Sequence, residues 1–152
     1  MAPRQHRIMI VESRYYEDIA EELLRGATKA LEMAGATYER VTVPGAFEIP
    51  AAVKFAVDGA ATGSDASAFD GFVTLGCVIR GETTHYDYVC QESARALQDL
   101  AVHHSLAIGY GILTCENRDQ AWARASVDGG DKGGFVANAC LSMIGIRDKI
   151  GP

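Results

Sequence analysis

Apolar residues fall into two rhythms along this chain. Four compact runs, at 7–11, 38–43, 71–75 and 106–113, read as strands. Between them lie segments whose apolar residues return every three or four positions, as they do on one face of a helix. From 18 to 34 that stripe is Ile19, Leu23, Ala27, Ala30, Leu31 and Ala34, and Gly35 stops it. Pro50 suits the first turn of a second helix reaching about residue 57. A third helix is predicted from about 88 to 103, on Val89, Ala96, Leu97 and Leu100. A short one follows over 118–125, then a last from 135 to about 149, on Ala137, Cys140, Leu141 and Ile144.

Strands alternating with helices imply right-handed crossovers, hence an α/β fold with a parallel sheet and helices on both faces. The strands read as nearly continuous apolar runs, which a sheet covered on both sides requires. Segment 59–70 alone reads as a flexible stretch, a surface loop inside one domain that spans 1–152, with 1–6 as a flexible tail. There are no repeats and no low-complexity region. Ligand groups are then expected beyond the C-terminal ends of the strands.

Composition narrows the function without deciding it. The 152 residues are 48% hydrophobic and 22% charged, ordinary for a globular domain, and the net charge of −6 argues against nucleic-acid or anionic-membrane partners. No apolar stretch approaches the roughly 18 residues of a membrane span, and positions 1–7 lack the apolar core of a secretory signal, so a cytoplasmic protein is expected. Cys77, Cys90, Cys115 and Cys140 form no C-x-x-C pair and read as reduced, small apolar residues; no metal-site spacing is present. His6 falls in the tail, and His103 and His104 end a helix, where imidazolium suits the dipole. His85 keeps different company.

Each strand is followed by candidate chemistry. After the first come Tyr15 and Tyr16, which either stack on a flat ligand or cover the core. After the second, Val43-Pro44-Gly45-Ala46-Phe47-Glu48-Ile49-Pro50 fixes a carboxylate between two prolines; Glu48 either favours a helix start or accepts hydrogen bonds from a polyol. After the third, the segment 76–89 sets Arg80, Gly81, Glu82, Thr83, Thr84 and His85 before a helix, where an anion is favoured and a histidine can exchange protons near neutral pH. Arg80 is either an anion partner or part of a structural salt bridge. After the fourth come Tyr110, the segment 114–121 and Arg124, then the glycine-rich 128–134 with Lys132, whose glycines either serve a ligand or turn the chain sharply.

Taken together, V-P-G-A-F-E-I-P at 43–50, G-C-V-I-R-G-E-T-T-H-Y-D-Y-V at 76–89, G-I-L-T-C-E-N-R-D-Q-A at 111–121 and D-K-G-G at 131–134 resemble the lumazine synthase family in order and spacing, over about 8–146. The resemblance implies a flavodoxin-like three-layer αβα sandwich with a four-stranded parallel sheet. It also implies a cofactor-free and metal-free condensation, in a homopentamer whose sites are shared between adjacent subunits. The substrates would be 5-amino-6-ribitylaminouracil and 3,4-dihydroxy-2-butanone 4-phosphate, and the product 6,7-dimethyl-8-ribityllumazine.

By position in those motifs, Tyr15 would stack on the pyrimidine, while Ala46, Phe47 and Glu48 with the Cys77, Val78 and Ile79 backbone would hold its edge and ribityl chain. Glu82, Thr83 and Arg124 would bind phosphate, His85 would transfer protons, Tyr110 would arrive from an adjacent subunit, and Lys132 would support the pocket. The chain departs from the family pattern with tyrosine at 15 and 110, with Glu82 in place of a small residue, and with Asp128 where shell-forming members carry a basic residue. The last argues against an icosahedral shell. The rival readings are a flavin- or lumazine-binding protein without catalysis, and a shell-forming homologue.

Overall fold

The computed structural model describes residues 4–62 and 68–151. Four parallel strands, β1 (Arg7–Ser13), β2 (Thr37–Val43), β3 (Gly71–Ile79) and β4 (Ile108–Cys115), form one sheet in the order β2-β1-β3-β4. Helices α1 (Glu17–Met33), α4 (Arg118–Ala125) and α5 (Lys132–Ile150) cover one face, around a core that includes Ile8, Ile10, Leu23 and Cys140. Helices α2 (Ile49–Ala61) and α3 (His85–His104) cover the other, around Val11, Val53, Phe72 and Leu97. This is the three-layer α/β arrangement expected, and its strand order places the topological switch between β1 and β3.

Local chemistry explains the element ends. Gly35 follows α1 with φ of +74°, the left-handed backbone a side chain resists. Asn117 caps α4 by accepting a hydrogen bond from the Gln120 N–H at 2.9 Å, and Asp131 caps α5 by accepting one from Gly134 at 3.3 Å. The glycine-rich stretch does less turning than its composition suggests. Gly133 and Gly134 lie inside the first turn of α5, and a Cβ at Gly133 would sit 2.0 Å from the Leu23 carbonyl oxygen. These glycines let α5 press against α1.

Three expectations are corrected. The third strand does not end at residue 75; it runs on to Ile79, because β4 continues beside it through Ile79↔Cys115. The third and last helices begin about three residues earlier than the apolar stripes suggest, at His85 and Lys132. And β2 is not an apolar run covered on both faces: five of its seven residues are exposed, Glu39 and Arg40 among them, as fits an edge strand. Of the segment 59–70, the first residues extend α2, and 63–67 lie outside the described residues, as do 1–3 of the expected tail.

Candidate functional site

Because all four strands run the same way, their C-terminal ends gather at one edge of the sheet. There the turns after β1, β2 and β3 enclose a cleft of about 550 Å³. Nine of the expected residues line it: Tyr15 from the first turn; Ala46, Phe47 and Glu48 from the second; Cys77, Val78, Ile79, Thr83 and His85 from the third.

Each is placed by a local cause. Gly45 is extended and leads into a short 3-10 turn, Ala46–Glu48, closed by the Glu48 N–H donating to the Gly45 carbonyl at 3.2 Å. Ala46 anchors this turn in the core, which leaves the Phe47 ring 59% exposed at the cleft. Pairing of β3 with β1 stops at Leu75, while pairing with β4 continues to Ile79. One edge of the Cys77, Val78 and Ile79 backbone therefore faces the cleft with donors and acceptors that the sheet does not use. Gly76 leaves room for Ser13, which lines the cleft, since a Cβ there would lie 2.9 Å from Ser13 Oγ.

His85 is the first residue of α3, and its backbone N–H donates to Thr83 Oγ1 at 3.3 Å. Thr83 and His85 thus set the start of a helix on the cleft wall, and a helix start favours negative charge nearby. Arg80 is committed elsewhere. Its guanidinium donates to Glu116 at 2.8 Å, stands 3.2 Å from Asp87 and lies 4.3 Å above the Tyr86 ring, so the salt-bridge reading is the observed one. Burial pushes the Cys77 thiol up to about 12, which makes it a neutral wall of the cleft rather than a nucleophile. Among the described residues, no group of three or more His, Cys, Asp or Glu side chains is arranged to hold a metal ion. No helix of the described residues is long and apolar enough to cross a membrane.

Four expected residues do not line this cleft. Glu82 is exposed in the turn before α3. Tyr110 lies within β4, packed against α3; burial raises its phenol pKa, and the Ser93 hydroxyl partly offsets this. Arg124, in the last turn of α4, donates to the Gln120 carbonyl at 3.0 Å and makes no ion pair among the described residues. Lys132 starts α5 with its ammonium 5.1 Å from the centre of the Phe135 ring. Arg124 and Lys132 thus stand on the opposite face of the sheet from the 3-10 turn and α3. Tyr16 and Gly81, named as candidates after β1 and β3, also line the cleft, and so do Ser13, Gly45, Tyr86 and Val89, to which no ligand role was given. Strand alternation at Ser13 and the helical step from His85 to Val89 were the available signals.

The chain matches the family model described as 6,7-dimethyl-8-ribityllumazine synthase over residues 5–148. It is 60% identical over 144 residues to 6,7-dimethyl-8-ribityllumazine synthase 1 of Rhizobium meliloti (strain 1021), covering 95% of this chain and 93% of that protein. It is 59% identical over 144 residues to the 6,7-dimethyl-8-ribityllumazine synthase of Agrobacterium fabrum (strain C58), covering 95% and 96%. The enzyme of that name from Bartonella tribocorum is 51% identical over 148 residues, covering 97% and 94%.

Proposed function

The chain belongs to the 6,7-dimethyl-8-ribityllumazine synthase family, and from that membership we infer that it is a transferase of riboflavin biosynthesis, making 6,7-dimethyl-8-ribityllumazine. The amine of 5-amino-6-ribitylaminouracil attacks the ketone of 3,4-dihydroxy-2-butanone 4-phosphate and loses water to give an imine. Phosphate then leaves, and ring closure with loss of a second water completes the product. The observation that carries this reading is the cleft itself, which unites an exposed tyrosine, an exposed phenylalanine, a carboxylate, an open strand edge and a histidine at a helix start.

Each feature has a task. Tyr15 stacks on the pyrimidine. Phe47, Glu48 and the Cys77, Val78 and Ile79 backbone hold its edge and ribityl chain. Thr83 and the N–H groups around it meet the phosphate; Glu82, exposed and outside the cleft, contributes its backbone alone. His85 moves the protons that imine formation and dehydration require. Most of the acceleration comes from holding two reactants in register, which can recover about 7–11 kcal/mol of barrier.

The site is completed by a second copy of the chain. Tyr110 and Arg124 have no place in the cleft of their own chain, and Arg124 has no carboxylate partner among the described residues. Phe47, Phe55, Tyr88 and Val102 are large apolar groups exposed on the side of the sheet that carries α2 and α3, as suits a surface that meets another subunit. A contact joining one copy's cleft to a different flank of the next is heterologous; such contacts give a ring when their rotation closes, and the ring proposed here is a pentamer. Lys132 supports the phosphate side from the same neighbouring copy. One domain, 1–152, carries all of this in the cytoplasm, where four free thiols are at home.

The reading is tested by mixing purified protein with both substrates and following lumazine absorbance against a protein-free blank. Product forming well above the blank is expected. Product at the blank rate, with riboflavin still bound, would show a binding protein instead.

A further inference from the structure

Strand β1 ends by burying a carboxylate. Glu12 is 1% exposed and points into the layer that holds Ile8 and Ile10. Burying a carboxylate costs free energy unless it is paired. Its Oε1 accepts a hydrogen bond from Arg14 Nη1 at 2.5 Å, while Oε2 has no hydrogen-bond partner among the described residues and stands 3.6 Å from Arg40 Nε. The Arg14 side chain is itself about four-fifths buried. Its two remaining nitrogens reach forward into α1: Nε donates to Glu17 at 3.0 Å and Nη2 to Glu21 at 2.5 Å.

Helix α1 needs such a brace. Tyr16 occupies its N-cap position and makes no side-chain capping bond. The fork of Arg14, which has no acceptor for the N–H groups of the helix start, instead ties the strand end to the first turns of the helix through the Glu17 and Glu21 side chains. Between the two anchors stand Tyr15 and Tyr16, edge to face at 4.9 Å, both lining the cleft. Tyr15 is 78% exposed, so beyond its edge contact with Tyr16 the ring has little packing to hold it. Stability alone is a poor reason for the arrangement, because an apolar pair in place of a buried ion pair is often neutral or better. Direction is a better reason: a planar fork bound to three carboxylates fixes a backbone turn as an apolar contact does not.

We propose that Glu12 and Arg14 are positioning residues for the pyrimidine subsite, with the buried carboxylate fixing Arg14 and Arg14 fixing the turn that presents Tyr15 to the substrate ring. Neither touches substrate. The inference rests on the reading that Tyr15 stacks on the pyrimidine, and the test separates the two.

The experiment is a cycle of Arg14→Lys, Tyr15→Ala and the double variant, with KM measured for each substrate beside kcat and Tm. Lysine keeps the charge and loses the fork. Loss of aromatic stacking predicts that Tyr15→Ala raises KM for the aminouracil about tenfold. Arg14→Lys is expected to raise the same KM several-fold, to leave KM for the phosphate substrate unchanged, and to add nothing once Tyr15 is alanine. A Tyr15→Ala variant with normal KM overturns the stacking reading and the inference with it. If Tyr15→Ala acts but Arg14→Lys leaves KM alone, or adds its full effect in the double variant, the positioning role alone is overturned. Should Arg14→Lys not fold, the paired Glu12→Leu/Arg14→Leu variant removes the buried charge with its partner; it is expected to fold and show the same rise in one KM, and a normal KM there rejects the proposal.

Discussion

His85→Ala is expected to lower kcat by about 10²–10⁴-fold while leaving both KM values within a few-fold, the range for losing one positioned acid–base group. The imidazole sits at the first residue of α3 on the wall of the cleft, with Thr83 beside it. Imine formation, phosphate loss, ring closure and dehydration each move protons, so its removal slows several steps at once. The variant still turns over, because holding the two substrates together does not depend on the ring. Rapid-quench single turnovers measure the effect without interference from product release. An unchanged rate would take His85 out of the proton path.

Arg124→Ala is expected to act on the other substrate. A guanidinium suits bidentate contact with phosphate, and hydrogen bonds to charged groups contribute about 1.5–3 kcal/mol each. Allowing for solvent at an exposed side chain, losing the fork costs about 3 kcal/mol, or about 10²-fold in kcat/KM for the phosphate substrate. KM for the aminouracil is expected to stay near its wild-type value, since the pyrimidine is proposed to rest on Tyr15, Phe47 and the end of β3. The contrast is sharpened by the chain's net charge of −6, which offers a phosphate no general attraction. Arg124→Lys, keeping charge without the fork, is expected to fall between wild type and alanine. A phosphate-substrate KM that ignores Arg124→Ala would remove this residue from the site.

Much of this arrangement was readable from residues alone. Apolar periodicity placed all four strands and five helices, because a sheet covered by helices leaves a plain imprint wherever side chains are buried on both sides. It failed at ends set by neighbours rather than by local sequence. Gly76 reads as a stop, yet β3 continues because β4 is still there to pair with it. Gly133 and Gly134 read as a loop, yet they are helical because α1 lies close enough to need them bare. The cleft's lining was legible from the family motifs at 43–50 and 76–89. Its second layer was not. Glu12 reads as an ordinary surface charge near a strand end, and only its burial beside Arg14 shows otherwise. The separation of Tyr110 and Arg124 from the cleft is likewise a property of the folded chain, since nothing local records which flank of the sheet α4 occupies.

On the proposed reading, that separation makes one chain half of a site. Co-expressing His85→Ala and Arg124→Ala chains and assaying the mixed oligomers tests it directly. In a ring assembled at random, about one site in four draws an intact His85 from one copy and an intact Arg124 from the next (one half times one half), so activity should recover to about a quarter of wild type. If each chain carries its own complete site, the mixture will show no more than the average of the two crippled variants.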